Sequence, residues 1–290
     1  MRIVVTGASG NVGTSVLEAL ARDDAVESIV GVARRVPELA LPKTSWRAAD
    51  VASDDLRPIF EGADCEDWPT EGIPSAYYAR QKAEVERRLD LFELEAPDVR
   101  VVRLRPALIF KRGAASEIRR LFVGPLLPSP LVRRSLIPLV PEVDRLVFQA
   151  VHSSDVGEAY RLAATGNARG AFNIAAEPVL DPRTLADMLD AKLVPVQAGA
   201  LRALADISWR LHLQPSAPGW LDMARAVPVM DTARARNELG WAPKHGADEA
   251  LLELLGGIRD GADFPTPPLA RRSGGPLRVK ELVTGIGSRP

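Results

Sequence analysis

Three glycines near the start of the chain have a spacing that suits the binding of phosphate groups. Gly7, Gly10 and Gly13 follow a short apolar segment, 3–5, and precede apolar residues that recur at helical spacing. A glycine turn between a strand and a helix lets backbone amides approach a pyrophosphate at the positive end of the helix. At this position, a glycine-rich turn without a ligand is the weaker interpretation. The residues predicted to contact a dinucleotide are Thr6, Gly7, Ser9, Gly10, Asn11, Val12 and Gly13.

The kind of dinucleotide depends on the residues that follow the second predicted strand. An acid at that point accepts a ribose hydroxyl of NAD, whereas an arginine compensates the 2′-phosphate of NADP. The sequence has Arg34 and Arg35 there and no acid, which favours NADP over NAD. A solvated arginine pair at the end of a strand is the alternative. Asp50 and Val51 end the third predicted strand and are further candidates for the cofactor site, although Asp50 also suits the start of a helix.

Tyr78 and Lys82 are the candidates for acid–base chemistry. They lie four residues apart near the start of a predicted helix, so both side chains project from one face. A neighbouring ammonium and a positive nicotinamide both lower the pKa of a phenol. Tyr78 can then exchange a proton with a substrate hydroxyl or carbonyl while a nicotinamide exchanges hydride, with Lys82 as its electrostatic partner. Taken alone, this spacing is more often a surface Tyr–Lys pair.

The remaining reactive side chains form no recognisable metal or redox site. The three histidines, His152, His212 and His245, lack the spacing of metal ligands, so we predict no metal and ordinary surface or capping roles. The single cysteine, Cys65, cannot form an internal disulfide, and we expect an inert thiol. A basic cluster either grips a nucleotide-sugar diphosphate or is a solvated helix face. Its members are Lys111, Arg112, Arg119 and Arg120.

The order of predicted elements indicates the fold class. Strands alternate with helices, which is typical of a parallel sheet covered on both faces. The predicted strands are 3–5, 28–33, 45–49, 99–104, 172–174 and 194–196. The predicted helices include 54–60, 76–94, 155–164, 182–191, 199–211 and 248–258. We therefore predict an α/β fold, a Rossmann-type doubly wound parallel sheet with a small C-terminal substrate lobe.

Domain limits follow from changes in composition along the chain. Residues 1–110 are expected to form a dinucleotide-binding Rossmann domain. Residues 111–265, which begin with a proline-rich stretch, are expected to form a mixed substrate-binding lobe with returning Rossmann elements. Residues 266–290 are expected to be a flexible tail.

Overall charge and hydropathy argue against several classes of protein. The 290 residues include 37 Lys+Arg and 38 Asp+Glu, and this balance favours neither nucleic acid nor an anionic membrane surface. No apolar run reaches the roughly 18 residues of a membrane helix, and the first residues indicate a strand rather than a signal peptide. We therefore expect a cytoplasmic protein that acts on a small-molecule substrate. The apolar stretch 201–220, with Trp209 and Trp220, is expected to pack within the substrate lobe.

Several motifs along the chain together carry a family resemblance. In order they are T-G-x-x-G-x-x-G from Thr6, Asp50-Val51, Y-x-x-x-K from Tyr78, Arg105-Pro106, H-x-x-D-V from His152, Phe172-Asn173-Ile174 and Leu239-Gly240-Trp241. In these motifs the sequence resembles the NAD-dependent epimerase/dehydratase family, the extended branch of the short-chain dehydrogenases/reductases, as far as about residue 258.

The resemblance implies a function as well as a fold. It implies an NAD(P)-dependent oxidoreductase or epimerase that transfers hydride at a secondary alcohol, ketone or sugar carbon. Its catalytic set is Ser-Tyr-Lys, of which Tyr78 and Lys82 match. It also implies cofactor contacts by Lys82 and Arg105, and a homodimer formed through the helix that bears Tyr78.

The sequence departs from the family in its middle. The serine that should precede Tyr78 by about two dozen residues is not assigned, because Asp54 stands near that position and Ser53 precedes a short helix. The stretch from Gly13 to Tyr78 is too short for two further strand–helix passages of roughly 25 to 30 residues each. We therefore predict a sheet that lacks two central units, with the break near 64–68. The alternative function is a catalytically silent or truncated relative that at most binds a dinucleotide.

Overall fold

The computed structural model describes residues 1–49, 76–123, 132 and 137–270. Several predictions lie outside these residues. They concern the contacts of Asp50 and Val51, the helix 54–60, the thiol of Cys65, the break near 64–68, and most of the tail 266–290.

The front of the chain forms a three-stranded parallel sheet. Its strands are β1 (Arg2–Thr6), β2 (Ser28–Ala33) and β3 (Thr44–Ala48), in the order β1-β2-β3. Helix α1 (Asn11–Ala21) connects β1 to β2 and buries Leu17 and Leu20 against Ile29. Since β2 is the central strand, its residues from Ile29 onward are buried, and it has the predicted bounds. The other two strands differ from their predicted limits by one or two residues.

The second half of the described chain contains three smaller sheets. β4 pairs with β8, β6 pairs with β10, and β7 lies between β5 and β9. All pairs are parallel except β7 with β9. The strand bounds are β4 Val102–Pro106, β5 Leu108–Phe110, β6 Leu139–Glu142, β7 Phe148–His152, β8 Gly170–Ile174, β9 Ala176–Leu180 and β10 Lys192–Pro195.

The helices follow the predicted order. The predicted helices within the described ranges are confirmed to within a few residues, while α3, α7 and α8 were not predicted. The bounds are α2 Tyr77–Glu95, α3 Ala115–Ile118, α4 Ser153–Thr165, α5 Pro182–Leu189, α6 Ala198–Arg210, α7 Gly219–Ala226, α8 Ala233–Asn237 and α9 Ala247–Asp260. A 3-10 turn, Arg112–Ala114, precedes α3, and a π turn, Arg119–Val123, follows it. None of the helices in the described ranges is long and apolar enough to cross a membrane.

The two halves meet where α1 packs on α4. The buried hydroxyls of Ser15 and Ser153 lie 2.9 Å apart, and a Cβ on Gly157 would lie 2.5 Å from the carbonyl oxygen of Ser15. In the described ranges no strand pairs with the outer edge of β1, and β4 pairs with β8 instead. The loss of two central units stays a prediction.

Strand β4 has one apolar and one charged face. Val102 and Leu104 pack toward the core that contains Phe172. Arg103, on the opposite face, is buried and donates to three carboxylates of α2 at 2.8–2.9 Å. Those carboxylates belong to Glu86, Asp90 and Glu93, which share one face of the helix. The strand was predicted at 99–104, but it begins later because Val99 closes a turn onto Ala96 at the end of α2.

We expect Arg103→Met to lower the free energy of unfolding by about 3–5 kcal/mol, because three carboxylates would remain around an uncharged side chain. Urea denaturation measures this change. The control is Arg87→Ala, which removes only an exposed ion pair with Glu84 and should cost about 0–1 kcal/mol. Equal unfolding free energies for the two variants would contradict the role given to Arg103.

Candidate functional site

The glycine turn between β1 and α1 has three backbone constraints. Gly7 has φ +63°, a left-handed conformation that favours glycine, and its carbonyl accepts from the amide of Gly10 at 2.9 Å. A Cβ on Gly13 would lie 2.2 Å from the Gly7 oxygen. The glycine turn and the first helical turn of α1 therefore lie so close together that Gly13 has no room for a side chain.

The first turn of α1 is open to an anion. The helix begins at Asn11, Gly10 precedes it in an extended conformation, and no side chain caps it. No acidic residue lies in this first turn. Because the first amides of a helix lack intrahelical acceptors and carry its positive end, this arrangement fits a pyrophosphate.

Arg34 and Arg35 emerge on the same side of the sheet as the glycine turn. Thr6 at the end of β1 is in register with Val32 near the end of β2. The residues that follow these two parallel strands therefore lie at the same, carboxyl end of the sheet. Both arginine side chains are exposed. The two arginines predicted to recognise the ribose and the turn predicted to bind phosphate thus lie at the same end of the sheet.

Tyr78 and Lys82 are close to each other, as their spacing predicts. The Nζ of Lys82 lies 5.5 Å from the centroid of the Tyr78 ring. The same ring stacks on Trp220 of α7, with centroids 5.3 Å apart, and Phe122 packs edge-on against Trp220 at 5.1 Å. Tyr78 remains 45% exposed. The sequence placed Trp220 in lobe packing but gave no signal that it would cover the candidate acid–base residue.

Arg105 contacts the tyrosine helix. Its Nε and Nη2 donate to the two carboxylate oxygens of Glu86 at 3.1 and 3.0 Å. This bidentate pair adds a second link between β4 and α2 beside Arg103. The cofactor contact predicted for Arg105 remains a prediction.

Three of the four basic residues predicted as a cluster have separate partners, and the fourth is buried. Arg112 pairs with Asp260 at 2.7 Å, and Arg120 donates to the carbonyls of Pro268 and Ala270. Arg119 is buried, so the group is not a solvated helix face. Lys111 lies at the start of α1. Its Nζ donates to the Asn11 carbonyl at 2.8 Å and to the hydroxyls of Thr14 and Ser15 at 2.7 and 3.1 Å.

The H-x-x-D-V motif forms a structural cluster. The buried carboxylate of Asp155 accepts from the backbone amides of Lys244 and His245 at 3.1 and 3.0 Å, and lies 3.1 Å from the Nδ1 of His245. His152 caps α4 by accepting from the amide of Ser154, and burial lowers its pKa. Capping was one of the predicted roles for histidine. Among the described residues, no group of three or more His, Cys, Asp or Glu side chains is placed to hold a metal ion.

Comparison with curated proteins finds relatives of unknown function. No family model matches this chain. It is 26% identical to the uncharacterized protein Rv2047c of Mycobacterium tuberculosis in an alignment 282 residues long, which covers 89% of this chain and 30% of that protein. It is 30% identical to the uncharacterized protein Rv0501 of the same organism over 164 residues, 56% of this chain and 40% of that protein. The chain thus spans well under half the length of these relatives.

Comparison with solved structures shows the fold. The UDP-glucuronic acid 4-epimerase from Bacillus cereus, in complex with UDP-glucuronic acid and NAD, matches with TM-score 0.58 at 13% identity, over 90% of this chain and 99% of that one. The UDP-glucose 4-epimerase from Thermotoga maritima matches with TM-score 0.58 at 14% identity, with the same coverage. The predicted α/β fold of Rossmann type is confirmed. The family resemblance is borne out only as a likeness of fold to NAD-dependent sugar epimerases.

We expect Gly13→Ala to destabilise the protein by about 1–3 kcal/mol and to abolish dinucleotide binding, because its Cβ would overlap the Gly7 oxygen. Urea denaturation and a fluorescence titration with NADPH measure the two effects. The matched control is Gly199→Ala in α6, where a Cβ meets no atom within 4 Å and stability should rise by up to about 1 kcal/mol. If the two variants behave alike, the close contact at Gly13 is not a constraint.

Proposed function

We propose that this chain binds a nicotinamide dinucleotide at the glycine turn and acts as an NAD(P)-dependent epimerase or oxidoreductase. Its substrate would be a small molecule with a secondary alcohol, a ketone or a sugar carbon. The observation that carries the proposal is the uncapped first turn of α1, held against a turn in which Gly13 admits no side chain. The likeness of fold to NAD-dependent sugar epimerases supports it.

The arginines at the end of β2 support NADP as the preferred cofactor. Arg34 and Arg35 are exposed at the same end of the sheet as the glycine turn. Two guanidinium groups suit a 2′-phosphate. The Bacillus cereus epimerase compared above contains NAD, so this preference would distinguish the chain from it.

The chemistry assigns separate tasks to cofactor and protein. A bound nicotinamide supplies hydride transfer. Tyr78 would hold or release a proton at its hydroxyl, toward the oxygen of the reacting carbon. The ammonium of Lys82 lies next to the same ring, 5.5 Å from its centroid, and is the electrostatic partner in this proposal. Trp220 restricts the orientation of the Tyr78 ring by stacking on it.

A second candidate function is dinucleotide binding without turnover. The ammonium of Lys82 lies over the face of the Tyr78 ring, and Arg105 is engaged with Glu86. No serine is assigned as the third member of the catalytic set. Under this alternative the glycine turn still binds the cofactor, so binding experiments alone do not separate the two functions, whereas turnover does.

The preference for NADP predicts a selective loss of affinity. We expect the double variant Arg34→Ala, Arg35→Ala to bind NADPH about tenfold or more weakly, because charge-assisted hydrogen bonds to the 2′-phosphate are lost. NADH serves as the control ligand, and its affinity should stay within about twofold of wild type. Calorimetric titration measures both values. A parallel loss for NADH and NADPH would contradict recognition of the 2′-phosphate by this pair.

The acid–base role of Tyr78 predicts loss of turnover without loss of cofactor. We expect Tyr78→Phe to lower kcat by about 10²- to 10⁴-fold on any substrate that the wild type converts, because proton transfer is removed. A panel of UDP-sugars, alcohols and ketones, followed by nicotinamide absorbance or product analysis, identifies such a substrate. Tyr160→Phe on α4 is the matched control and should retain activity. Cofactor binding by wild type with no turnover on the panel would favour the silent alternative.

A further inference from the structure

Lys111 reaches the first turn of α1 from the segment that follows β5. Its ammonium is within hydrogen-bond distance of three oxygens in that turn. One of them is the carbonyl of Asn11, the residue with which the helix begins. The amide of the same residue belongs to the uncapped group of donors at the end of the helix. The ammonium therefore lies against the start of α1, on its carbonyl and hydroxyl oxygens, next to the turn proposed to bind a pyrophosphate.

A cation is unfavourable at this place unless an anion offsets it. The N-terminal end of a helix carries positive partial charge, which disfavours an ammonium. Burial lowers the pKa of Lys111 to about 8, although Glu18 on α1, Glu117 on α3 and Glu253 on α9 all act to raise it. Glu253 also lies 3.3 Å from His152. Burial lowers the pKa of His152 and so favours its neutral form.

The hydrogen bonds of Lys111 do not by themselves require a lysine. The hydroxyl of Thr14 also donates to the carbonyl of Gly10 at 3.0 Å, and the hydroxyl of Ser15 pairs with Ser153 at 2.9 Å. The Asn11 carbonyl also accepts from the Ser153 hydroxyl at 3.0 Å. Each acceptor therefore has another partner, and an apolar side chain of similar length would leave none of them unsatisfied.

Asn11 contacts the segment that precedes Lys111. Its side-chain amide donates to the carbonyl of Ile109 at 3.2 Å, whereas its Oδ1 is buried and makes no hydrogen bond among the described residues. A buried oxygen without a partner is costly and marks a place where a donor is expected. A pyrophosphate has only acceptor oxygens and does not satisfy this Oδ1, so the link between Asn11 and the segment of Lys111 consists of the side-chain amide and of the carbonyl that accepts from Lys111.

We propose that the ammonium of Lys111 is a fixed cation that strengthens the binding of the dinucleotide pyrophosphate from behind the first turn of α1. This inference rests on the proposed function. Lys111 is a positioning residue, because it acts through the turn and its charge and does not touch the reacting atoms. It ties recognition of the phosphates to residues 111–265, which were expected to form a mixed substrate-binding lobe with returning Rossmann elements.

The experiment compares a ligand that carries the pyrophosphate with one that lacks it. NADPH and adenosine are titrated by calorimetry into wild type and Lys111→Met. We expect about tenfold or greater weakening for NADPH and no change for adenosine, because only NADPH carries the phosphates that the ammonium attracts. Equal weakening for both ligands would mean that Lys111 acts by packing alone, and would overturn the inference.

The pH profile provides an independent readout that a merely structural role would not change. Below about pH 8 the ammonium is charged, and above that value it loses its proton. The affinity of wild type for NADPH should therefore fall between about pH 7 and pH 9.5, while that of Lys111→Met should stay constant. Arg112→Met, which alters the adjacent cation paired with Asp260, should keep the wild-type profile.

The outcomes separate this inference from the proposed function. If wild type binds no NADPH, the proposed function fails and the inference fails with it. If wild type binds NADPH and Lys111→Met binds it equally well with the same pH profile, only the inference fails. If Lys111→Met does not fold, Lys111→Arg decides, since its charge persists through this range and its affinity should not fall with pH.

Discussion

The packing of α1 against α4 is the contact on which both halves of the described chain depend. Among the residues that the structure describes, β1, β2 and β3 pair only with one another, and the glycine turn is joined to the second half through the helix that follows it. Gly157 lets the two helices approach closely, and Val12 packs against the apolar clusters of both halves. Arg161 of α4 adds an ion pair with Asp23 beyond the end of α1. The turn that suits a phosphate is therefore oriented by residues far along the sequence.

The parts of the fold that sequence could predict are those with local causes. The spacing of Gly7, Gly10 and Gly13 reflects contacts within a few residues, and the turn has the conformation that this spacing indicates. β2 is apolar along its length because it is the central strand of the front sheet, and its bounds were predicted correctly. The long helices were also predicted, since each carries a periodic apolar face. In the candidate site, the closeness of Tyr78 and Lys82 follows from helical geometry alone.

The parts that sequence could not predict depend on distant partners. β5 is only three residues long and pairs with β7, some forty residues later, so neither its length nor its local pattern distinguishes it from a loop. Arg103 gives β4 a charged face, and its burial is favourable only because the acidic face of α2 lies beside it. Lys111 belongs to a basic stretch in sequence, yet it is partly buried against α1, where its ammonium donates to the Asn11 carbonyl. Asp155 is explained in the same way, because its partners come from the segment near His245.

The position of Tyr78 results from two attachments of different kinds. Arg103 and Arg105 hold the later part of α2 by charge, whereas Trp220 contacts the first turn, where Tyr78 lies. Trp220 belongs to α7, which is fixed to α6 through the bidentate pair of Arg202 with Asp222. With an indole stacked on one face of its ring, Tyr78 is accessible only from the remaining directions. The segment that carries α6 and α7 therefore controls access to the phenol as well as its orientation.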